Sequence, residues 1–378
     1  MSPRSCISFL AIFVATSGVG GLAAEPWQSA DRMTESASTL IASLDAGQRE
    51  KVVFSLSDDG RTVWSNLPIA MAPTPGLLMA DMNDTQRKAV HDLLRASLSS
   101  QGYAKFTSVM RLEEILREIE APGRESLAGD PEGARRLYVL ESRGYANYAI
   151  ALYGNPGSGD WGWKIAGHHA AMNFTVAEGR VGFTPTFLGS SPMVIESGQY
   201  AGLAALPHEG ERGIELMRSL NAEQQQLATL ASEVTDNIFE GPGRKASLSK
   251  YEGLKADSLN GSQVRLLHAL VDEYVRNADF DAAEAHLAAI EAAGWDQLWF
   301  SWRGPIDPAG RFYYRVHGPR ILIEYNRQDE NHDHMIVRDP QNDYGEDWLG
   351  QHYEEHHPTM EEAIENAQRG VDALDATP

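Results

Sequence analysis

Residues 320–338 read Arg-Ile-Leu-Ile-Glu-Tyr-Asn-Arg-Gln-Asp-Glu-Asn-His-Asp-His-Met-Ile-Val-Arg. Two runs rich in β-branched and aromatic residues flank a polar turn at residues 327–331, which predicts two antiparallel strands joined as a hairpin. Side chains alternate between the two faces of a strand, so one face is expected to be apolar and the other polar. The apolar face is predicted to carry Ile321, Ile323, Tyr325, Met335 and Val337. The polar face is predicted to carry Arg320, Glu324, Asn326, His332, His334 and Arg338.

The polar face of this hairpin has the residue types of a metal site. With Asn326 placed opposite His332, Glu324 lies opposite His334. Two histidines spaced i, i+2 on a strand offer imidazole nitrogens to one point, and a facing carboxylate completes a set that leaves open coordination positions. We therefore predict that His332, His334 and Glu324 bind a divalent metal. A solvated polar strand face is the alternative interpretation.

An adjacent histidine pair, His168 and His169, lies in a second apolar run at residues 161–176. Interpreted as one strand, this run places His168 on the side of Met172, which predicts a buried structural histidine. His169 falls on the opposite side with Asn173 and is predicted to be a further metal ligand. Three imidazoles and one carboxylate suit zinc, copper, iron or manganese, and the sequence does not choose among these metals.

Charged residues next to the hairpin predict further roles at the site. Arg320 and Arg338 are expected to lie opposite each other, where like charges are unfavourable unless an anion or an acid lies between them. We predict that both arginines, together with Asp339, serve catalysis by holding negative charge. Ion pairing at the rim of the sheet is the alternative. His317, Asp333 and Asp339 are expected either to bind the metal themselves or to orient its ligands.

The N-terminal sequence predicts export. Arg4 precedes an apolar run at residues 7–19 and a small-residue exit, which is typical of a secretory signal peptide, here residues 1–24. No later stretch approaches the ~20 apolar residues that a membrane helix needs. Cys6 is the only cysteine and lies in this signal, so the mature chain is expected to have no disulfide and no thiolate ligand. We expect a secreted or periplasmic protein.

Charge limits the partners that the chain can bind. The formal net charge of −21 at pH 7 argues against nucleic acid and anionic membrane surfaces, because phosphates attract local excesses of Lys and Arg. Tryptophans and tyrosines flank the predicted strands and can stack on a sugar or an aromatic ligand, although such side chains more often form core. A small molecule or a saccharide is therefore the expected substrate. The oligomeric state is left open.

Four segments share one helix-start signal, an Asn or Asp followed three residues later by Gln. Such a pair forms a capping box, in which each side chain accepts a hydrogen bond from the other residue's backbone amide. Four helix starts are therefore predicted, at Asp45, Asn83, Asn221 and Asn260. An internal helical duplication would explain the recurrence, but the flanking residues differ so much that shared capping chemistry is the favoured interpretation.

The order of the predicted elements defines the fold class. Helices, strands, helices and strands follow each other along the chain, which indicates an α+β fold with mainly antiparallel sheet and helical groups inserted between two β blocks. No low-complexity linker divides the chain, so residues 25–358 are predicted to form one domain. Residues 359–378 are predicted to be an acidic helical tail. Histidines before this tail, His352 and His356, have helical spacing and favour a surface role.

Several motifs together resemble those of a secreted bacterial and fungal family, domain of unknown function family 3500. They are Trp64-Ser65-Asn66-Leu67-Pro68, Trp161-Gly162-Trp163, Gly167-His168-His169, Gly318-Pro319, Asn331-His332-Asp333-His334 and Asp343-Tyr344-Gly345. The similarity covers nearly the whole chain after the signal. It implies a single exported domain and supplies no reaction, so the function has to be argued from the site.

The sequence as a whole predicts an exported metal-dependent hydrolase whose His and Glu ligands activate water. A copper or iron oxidoreductase with the same ligands is one alternative. A non-catalytic exported protein that binds a saccharide or peptide is another, and it requires no metal. The sequence lacks three signatures of other enzyme classes. They are the Gly-x-Ser-x-Gly nucleophile elbow, the Gly-x-x-x-x-Gly-Lys phosphate-binding loop and the His-Glu-x-x-His zinc-binding helix.

Overall fold

The computed structural model describes residues 28–120, 127 and 131–356. The predicted signal peptide, His357 and the predicted tail lie outside these residues. Helical groups and strand groups follow each other in the predicted order, which confirms the α+β fold. Within the described residues no helix is long and apolar enough to cross a membrane.

The helices belong to two groups, and each group precedes the long strands of one block. The first group is α1 (Gln28–Ser43), α2 (Ala46–Val52), α3 (Asp84–Ser97), α4 (Ser100–Glu120) and α5 (Pro131–Glu141). The second group is α6 (Glu209–Ser219), α7 (Ala222–Ala228), α8 (Gly261–Val275) and α9 (Phe280–Ala293), and α10 (Glu346–His356) follows the last strand.

The strands likewise form two blocks. The first is β1 (Val53–Phe54), β2 (Leu77–Leu78), β3 (Ala149–Gly154), β4 (Trp161–Gly167), β5 (Ala170–Ala177), β6 (Arg180–Gly182) and β7 (Thr186–Ser190). The second is β8 (Thr229–Ala231), β9 (Leu254–Lys255), β10 (Trp299–Arg303), β11 (Tyr313–Gly318), β12 (Ile321–Asp329) and β13 (His332–Arg338).

These strands form one 13-stranded sheet in the described part of the chain. Its main path runs β1-β3-β4-β5-β7-β13-β12-β11-β10-β8, so the two blocks meet where β7 pairs with β13. All the long pairs are antiparallel, and only the short strands β1 and β8 pair in parallel. One face of the sheet packs against the helices and forms the main core. The other face carries a smaller apolar cluster that includes Trp64, Phe187 and Ile336.

All four predicted capping boxes are present. Asp45, Asn83, Asn221 and Asn260 each accept from a backbone amide three residues on, and the Gln there accepts from the capping residue's own amide. Each box satisfies helix-end amides that have no partner within the helix. The helix starts predicted from this pattern are therefore confirmed.

The two halves of the chain repeat one architecture. Gln48 and Gln86, from two capping boxes of the first half, hydrogen-bond through their side-chain amides, and Gln86 also donates to the Ser43 carbonyl. Gln263 makes the same two bonds in the second half, to Gln224 and to the Ser219 carbonyl. Strand order and strand direction repeat as well. Shared capping chemistry without a repeat is thus the wrong interpretation.

An approximate two-fold axis relates the halves and passes through the centre of the sheet. Ser99 N donates to the Asn277 carbonyl at 3.1 Å, and Asp279 N donates to the Ser97 carbonyl at 3.0 Å, a reciprocal pair. In the sheet, Thr186 pairs with Val337 where β7 crosses β13. Thr186 and Val337 therefore occupy related positions beside the axis.

The central hairpin has the predicted faces but a different register. Asn326 lies opposite His334, and Glu324 lies opposite Ile336. The shift is two residues from the expected pairing, so each side chain stays on its predicted face while its partner changes. The turn is shorter than predicted, because β12 continues to Asp329, which pairs with His332, and only residues 330–331 form the turn. A bulge between Arg327 and Asp329 adjusts the pairing by one further residue. The expected pairing of Glu324 with His334 is wrong.

The second face also buries a cation, Lys164 of β4. Its ammonium group donates to the carbonyls of Gly60 and Val63, which fixes the loop over this face. Burial lowers the pKa of Lys164 to about 7, with Asp58 acting in the opposite direction. The folded protein therefore releases this proton at a pH where the unfolded chain still holds it.

Stability is expected to rise with pH between about 7 and 10 because of Lys164, by up to about 1.4 kcal/mol per pH unit. In that window the unfolded chain binds more protons than the folded chain, so raising the pH favours folding. Lys164→Met should flatten the rise, whereas Lys51→Met, at an exposed site, should not. Urea unfolding at pH 7, 8 and 9 measures both slopes. Equal slopes for wild type and Lys164→Met would contradict the assignment.

Candidate metal centre

Three histidines, two from β13 and one from the turn between β4 and β5, converge at one point of the second face. The Nε2 atom of His332 lies 3.1 Å from Nε2 of His169 and 3.0 Å from Nε2 of His334. His332 and His334 are neighbours on one face of β13, and β5 and β7 bring His169 beside them. These ligand atoms lie close enough together to hold one metal ion.

Asn237 fixes the tautomer of His334. The Asn237 side-chain oxygen accepts from the backbone N–H of Ile238 at 2.8 Å, which identifies it as the carbonyl end of the amide. The same oxygen lies 2.9 Å from His334 Nδ1, so Nδ1 carries the proton. The Nε2 atom of His334 therefore has a free lone pair in the neutral ring. An oxygen on the far nitrogen is the usual orienting contact of a metal-bound histidine.

His169 occupies a tight turn, and not the middle of a strand as predicted. Gly167 pairs with Ala170, so the run at residues 161–176 folds as a hairpin whose two-residue turn is His168-His169. The φ angle of His169 is 94°, in a region that L side chains rarely adopt. Such strain persists only where surrounding contacts enforce it, and it is frequent at functional sites. Strand alternation therefore does not apply to the pair, although His169 still reaches the predicted cluster.

Gly189 makes room for the imidazoles. It pairs with His334 across β7 and β13, and its N–H donates to the His169 carbonyl at 2.6 Å. A Cβ atom built on Gly189 would lie 2.7 Å from Cδ2 of His334 and 3.3 Å from Cδ2 of His169. Any side chain here would displace the rings. Glycine is thus required by close approach, at the point where the histidines pack.

Burial keeps the cluster neutral. His169 and His334 are each 3% exposed, and His332 is half-buried. Burial, followed by the neighbouring histidines, lowers the pKa of His169 and of His334 well below the usual value. Burial also lowers the pKa of His332. Neutral imidazoles are the form that binds metal, so no proton has to be removed first.

Glu113 and His168 form a second group beside the cluster. Oε1 of Glu113 lies 2.6 Å from Nδ1 of His168 and 3.9 Å from Nδ1 of His169. Glu113 is 2% exposed, and its Oε2 atom is buried without a hydrogen-bond partner. The rings of His168 and His169 stack with centroids 3.7 Å apart. A carboxylate with an unused oxygen therefore lies next to the imidazoles.

Glu324 is not part of this cluster. Its carboxylate accepts from Phe239 N at 2.8 Å, Glu240 N at 2.7 Å and the Tyr313 hydroxyl at 2.7 Å. Burial raises the pKa of Glu324, and the two backbone donors and the Tyr313 hydroxyl act in the opposite direction. The two-residue change in register moves this side chain away from the histidines. Glu324 instead fixes the loop that carries Asn237.

The predicted catalytic group lies elsewhere as well. Arg320 forms a bidentate ion pair with Asp339, and Nε of Arg320 lies 3.0 Å from the nearer oxygen. Arg338 pairs with Asp343 at 2.5 Å and donates to the Glu240 carbonyl. Arg338 lies opposite Leu322, so the expected facing of the two arginines is wrong. Ion pairing, the alternative interpretation, describes both residues.

The two-fold axis explains where Arg320 lies. The turn His168-His169 of the first half corresponds to Pro319-Arg320 in the second, because Gly167 pairs with Ala170 as Gly318 pairs with Ile321. Arg320 therefore occupies in the second half the turn position that His169 occupies in the first. Val181, Phe183 and Arg320 line one cavity of about 40 Å³, and Val181 and Phe183 belong to the main core on the helix side of the sheet.

The remaining predicted residues are also placed apart from the centre. His317 stacks edge-on against Tyr251 at 4.6 Å, and burial lowers its pKa to about 4. Asp333 points to the opposite face of the sheet, where it accepts from the Tyr325 hydroxyl at 3.0 Å. His352 and His356 fall in α10, and their side chains lie outside the described residues.

The fold and the cluster define an α+β protein with buried His and Glu groups that could hold a metal ion. The chain belongs to the family described as protein of unknown function (DUF3500), which matches residues 27–346. This match confirms the resemblance seen in the sequence, and its range includes all three converging histidines. Comparisons with curated proteins and with solved structures found no match.

Two residues of the site, Glu113 and Asn237, were not predicted. Glu113 continues the apolar stripe of α4 at helical spacing from Phe106 and Met110. An acidic residue on the buried side of a helix could have been recognised in the sequence as a candidate site residue. Asn237 lies in a loop whose path depends on Glu324, and no local pattern predicts that path. His168 was predicted to be a structural histidine. Its Nδ1 atom contacts the carboxylate of Glu113.

Proposed function

We propose that this protein is an exported metal-dependent hydrolase that binds a divalent ion through His169, His332 and His334. The proposal rests on one observation. The Nε2 atom of His332 lies 3.1 Å from Nε2 of His169 and 3.0 Å from Nε2 of His334. Three neutral nitrogen ligands with an open fourth position are the pattern of catalytic zinc sites. Export is supported by the signal-like N-terminal sequence.

The residues present fit a metal better than they fit an ion-free cluster. His332 Nε2 carries at most one proton and lies near two other nitrogens, so it can donate to only one of them. The Nε2 lone pair of His334 is already fixed by the proton on its Nδ1. At least one close nitrogen pair therefore lacks a hydrogen bond. A cation between the rings would satisfy all three lone pairs.

Glu113 is proposed as the general base. It lies beside His169, is buried, and has an oxygen without a hydrogen-bond partner. A divalent ion bound by the histidines would supply Lewis-acid activation of water. Glu113 would accept the proton from that water, with His168 holding its other oxygen in place. Asn237 orients His334, and Gly189 keeps the space for both buried rings.

The metal distinguishes hydrolysis from redox chemistry at the same ligands. Zinc has no accessible redox change and supports the hydrolytic proposal, whereas copper or iron would support an oxidoreductase. Protein purified without a histidine tag and analysed by mass spectrometry for metals is expected to contain stoichiometric zinc. Stoichiometric copper or iron would replace hydrolysis with oxidation. Metal-free protein that takes up no zinc on dialysis would overturn both.

Glu113→Gln is expected to lower hydrolysis by about 100-fold or more while metal content stays stoichiometric, because a general base contributes rate and is not a ligand. Chromogenic 4-nitrophenyl esters and phosphate esters provide the assay. Glu114→Gln, at the adjacent position that pairs with Arg117 on the outer side of α4, is the matched control. Equal activity of both variants would remove Glu113 from the mechanism.

A further inference from the structure

A separate cavity of about 520 Å³ lies on the opposite face of β12 from the histidines. Its wall is mainly apolar, with Met193, Val194, Leu206 and Ile214 among the lining residues. Small-molecule sites are typically apolar clefts of roughly 300–1,000 Å³ with a few polar groups that orient the ligand. This cavity therefore has the size and the wall of a ligand site.

The polar group at its base is Arg327, which is 9% exposed. Its guanidinium donates to the Pro308 carbonyl, lies 3.4 Å from the Tyr325 hydroxyl and packs over the Phe312 ring at 4.7 Å. Its Nε atom has no hydrogen-bond partner. The buried carboxylate of Asp333 interacts with Arg327 electrostatically, with the Tyr325 hydroxyl between the two groups. A buried guanidinium with an unused donor is costly, and an anion in the cavity that accepts from it would complete the site.

Gly210 keeps the guanidinium accessible from the cavity. A Cβ atom at Gly210 would lie 2.7 Å from the Tyr325 hydroxyl and 2.9 Å from Nη2 of Arg327. The start of α6 thus leaves a gap directly over both polar groups. Glu211, Glu215 and Arg218 also line the cavity and are exposed, so Arg327 is its buried charged residue. A ligand would meet an apolar wall first and a cation at the end.

We propose that this cavity binds a small organic carboxylate with an apolar tail, the carboxylate pairing with Arg327 and the tail packing between α6 and the segment at residues 193–207. The guanidinium fork matches a carboxylate in shape and charge. The apolar residues of the wall would exclude water from the tail. Because the cavity and the histidines lie on opposite faces of the sheet, this binding does not depend on the proposed metal centre.

Calorimetric titration with octanoate tests the site, and octanamide serves as the neutral probe of the same length. The protein is first treated with chelator, so that octanoate cannot be held by a metal ion. Octanoate is expected to bind wild type and to lose about tenfold or more in affinity in Arg327→Gln, since bonds to a charged group contribute more than neutral ones. Octanamide should bind more weakly than octanoate and be insensitive to that substitution.

Two further variants keep the test decisive. Ile214→Trp fills the cavity from α6 without touching Arg327 and should abolish octanoate binding, which covers the case in which Arg327→Gln does not fold. Arg265→Gln, at an exposed position of α8, is the matched control and should bind as wild type does. No binding of octanoate, equal binding of octanoate and octanamide, or full binding by Ile214→Trp would each overturn the proposal.

Discussion

His332→Ala and His334→Ala are each expected to abolish stoichiometric metal binding. Each substitution removes one of the three converging imidazole nitrogens, in which His332 Nε2 lies no more than 3.1 Å from each of the other two. The two imidazoles that remain would bind a divalent ion far more weakly. Metal analysis after dialysis against a weak chelator measures the loss. Gly189→Ala should lower metal affinity without removing a ligand, because its Cβ would displace His334.

The two histidine variants should differ in stability. His332 is half-buried, so its loss is expected to cost within about 1 kcal/mol in the metal-free protein. His334 is 3% exposed and bonded to Asn237, so its loss should cost about 1–3 kcal/mol. His208→Ala, at an exposed position, should change neither property. Unchanged metal content in all the histidine variants would refute the three-histidine centre.

Glu324→Ala is expected to lower the free energy of unfolding by about 3–5 kcal/mol, the largest stability effect at this face of the sheet. The carboxylate accepts from two backbone amides and from Tyr313, and alanine would leave all three buried donors without an acceptor. Urea unfolding measures the change. If Glu324 were a metal ligand, the loss would appear mainly in metal content.

The related position in the other half supplies a matched control for Glu324. Asn173 occupies the corresponding place in β5, and its side chain donates to the Pro185 carbonyl at 2.8 Å. With this one bond, Asn173→Ala should cost about 1–2 kcal/mol, less than Glu324→Ala. Equal losses at the two positions would contradict the view that Glu324 fixes the loop around Asn237.

Local patterns predicted the parts of the structure that depend on local geometry. Alternation along β13 placed His332 and His334 on one face, and the capping boxes located four helix starts, because both signals involve residues a few positions apart. Register was not predictable in the same way. A shift of two residues keeps every face, so the pattern of apolar and polar residues around Glu324 fits either pairing.

Long-range relations account for the rest of what the sequence did not predict. Glu113 reaches His168 from a helix about fifty residues earlier in the chain, and a single sequence carries no measure of that distance. In the sequence, the repeat of the two halves left only the shared capping boxes as a signal. The residues around Gln86 and Gln263 differ, although the two side chains make the same hydrogen bonds in the structure. Strand alternation at His168-His169 failed because the run contains a turn.

The approximate two-fold axis allows the two halves to differ in a way that identical subunits cannot. In a dimer of identical chains, every substitution would appear at both related positions, and dilution would separate the partners. In one continuous chain, the turn that bears His169 in the first half bears Arg320 in the second. The turn of the first half can therefore contribute to the imidazole cluster, whose other two histidines belong to the second half, while the turn of the second half holds an ion pair with Asp339. The two arrangements always occur together in one molecule.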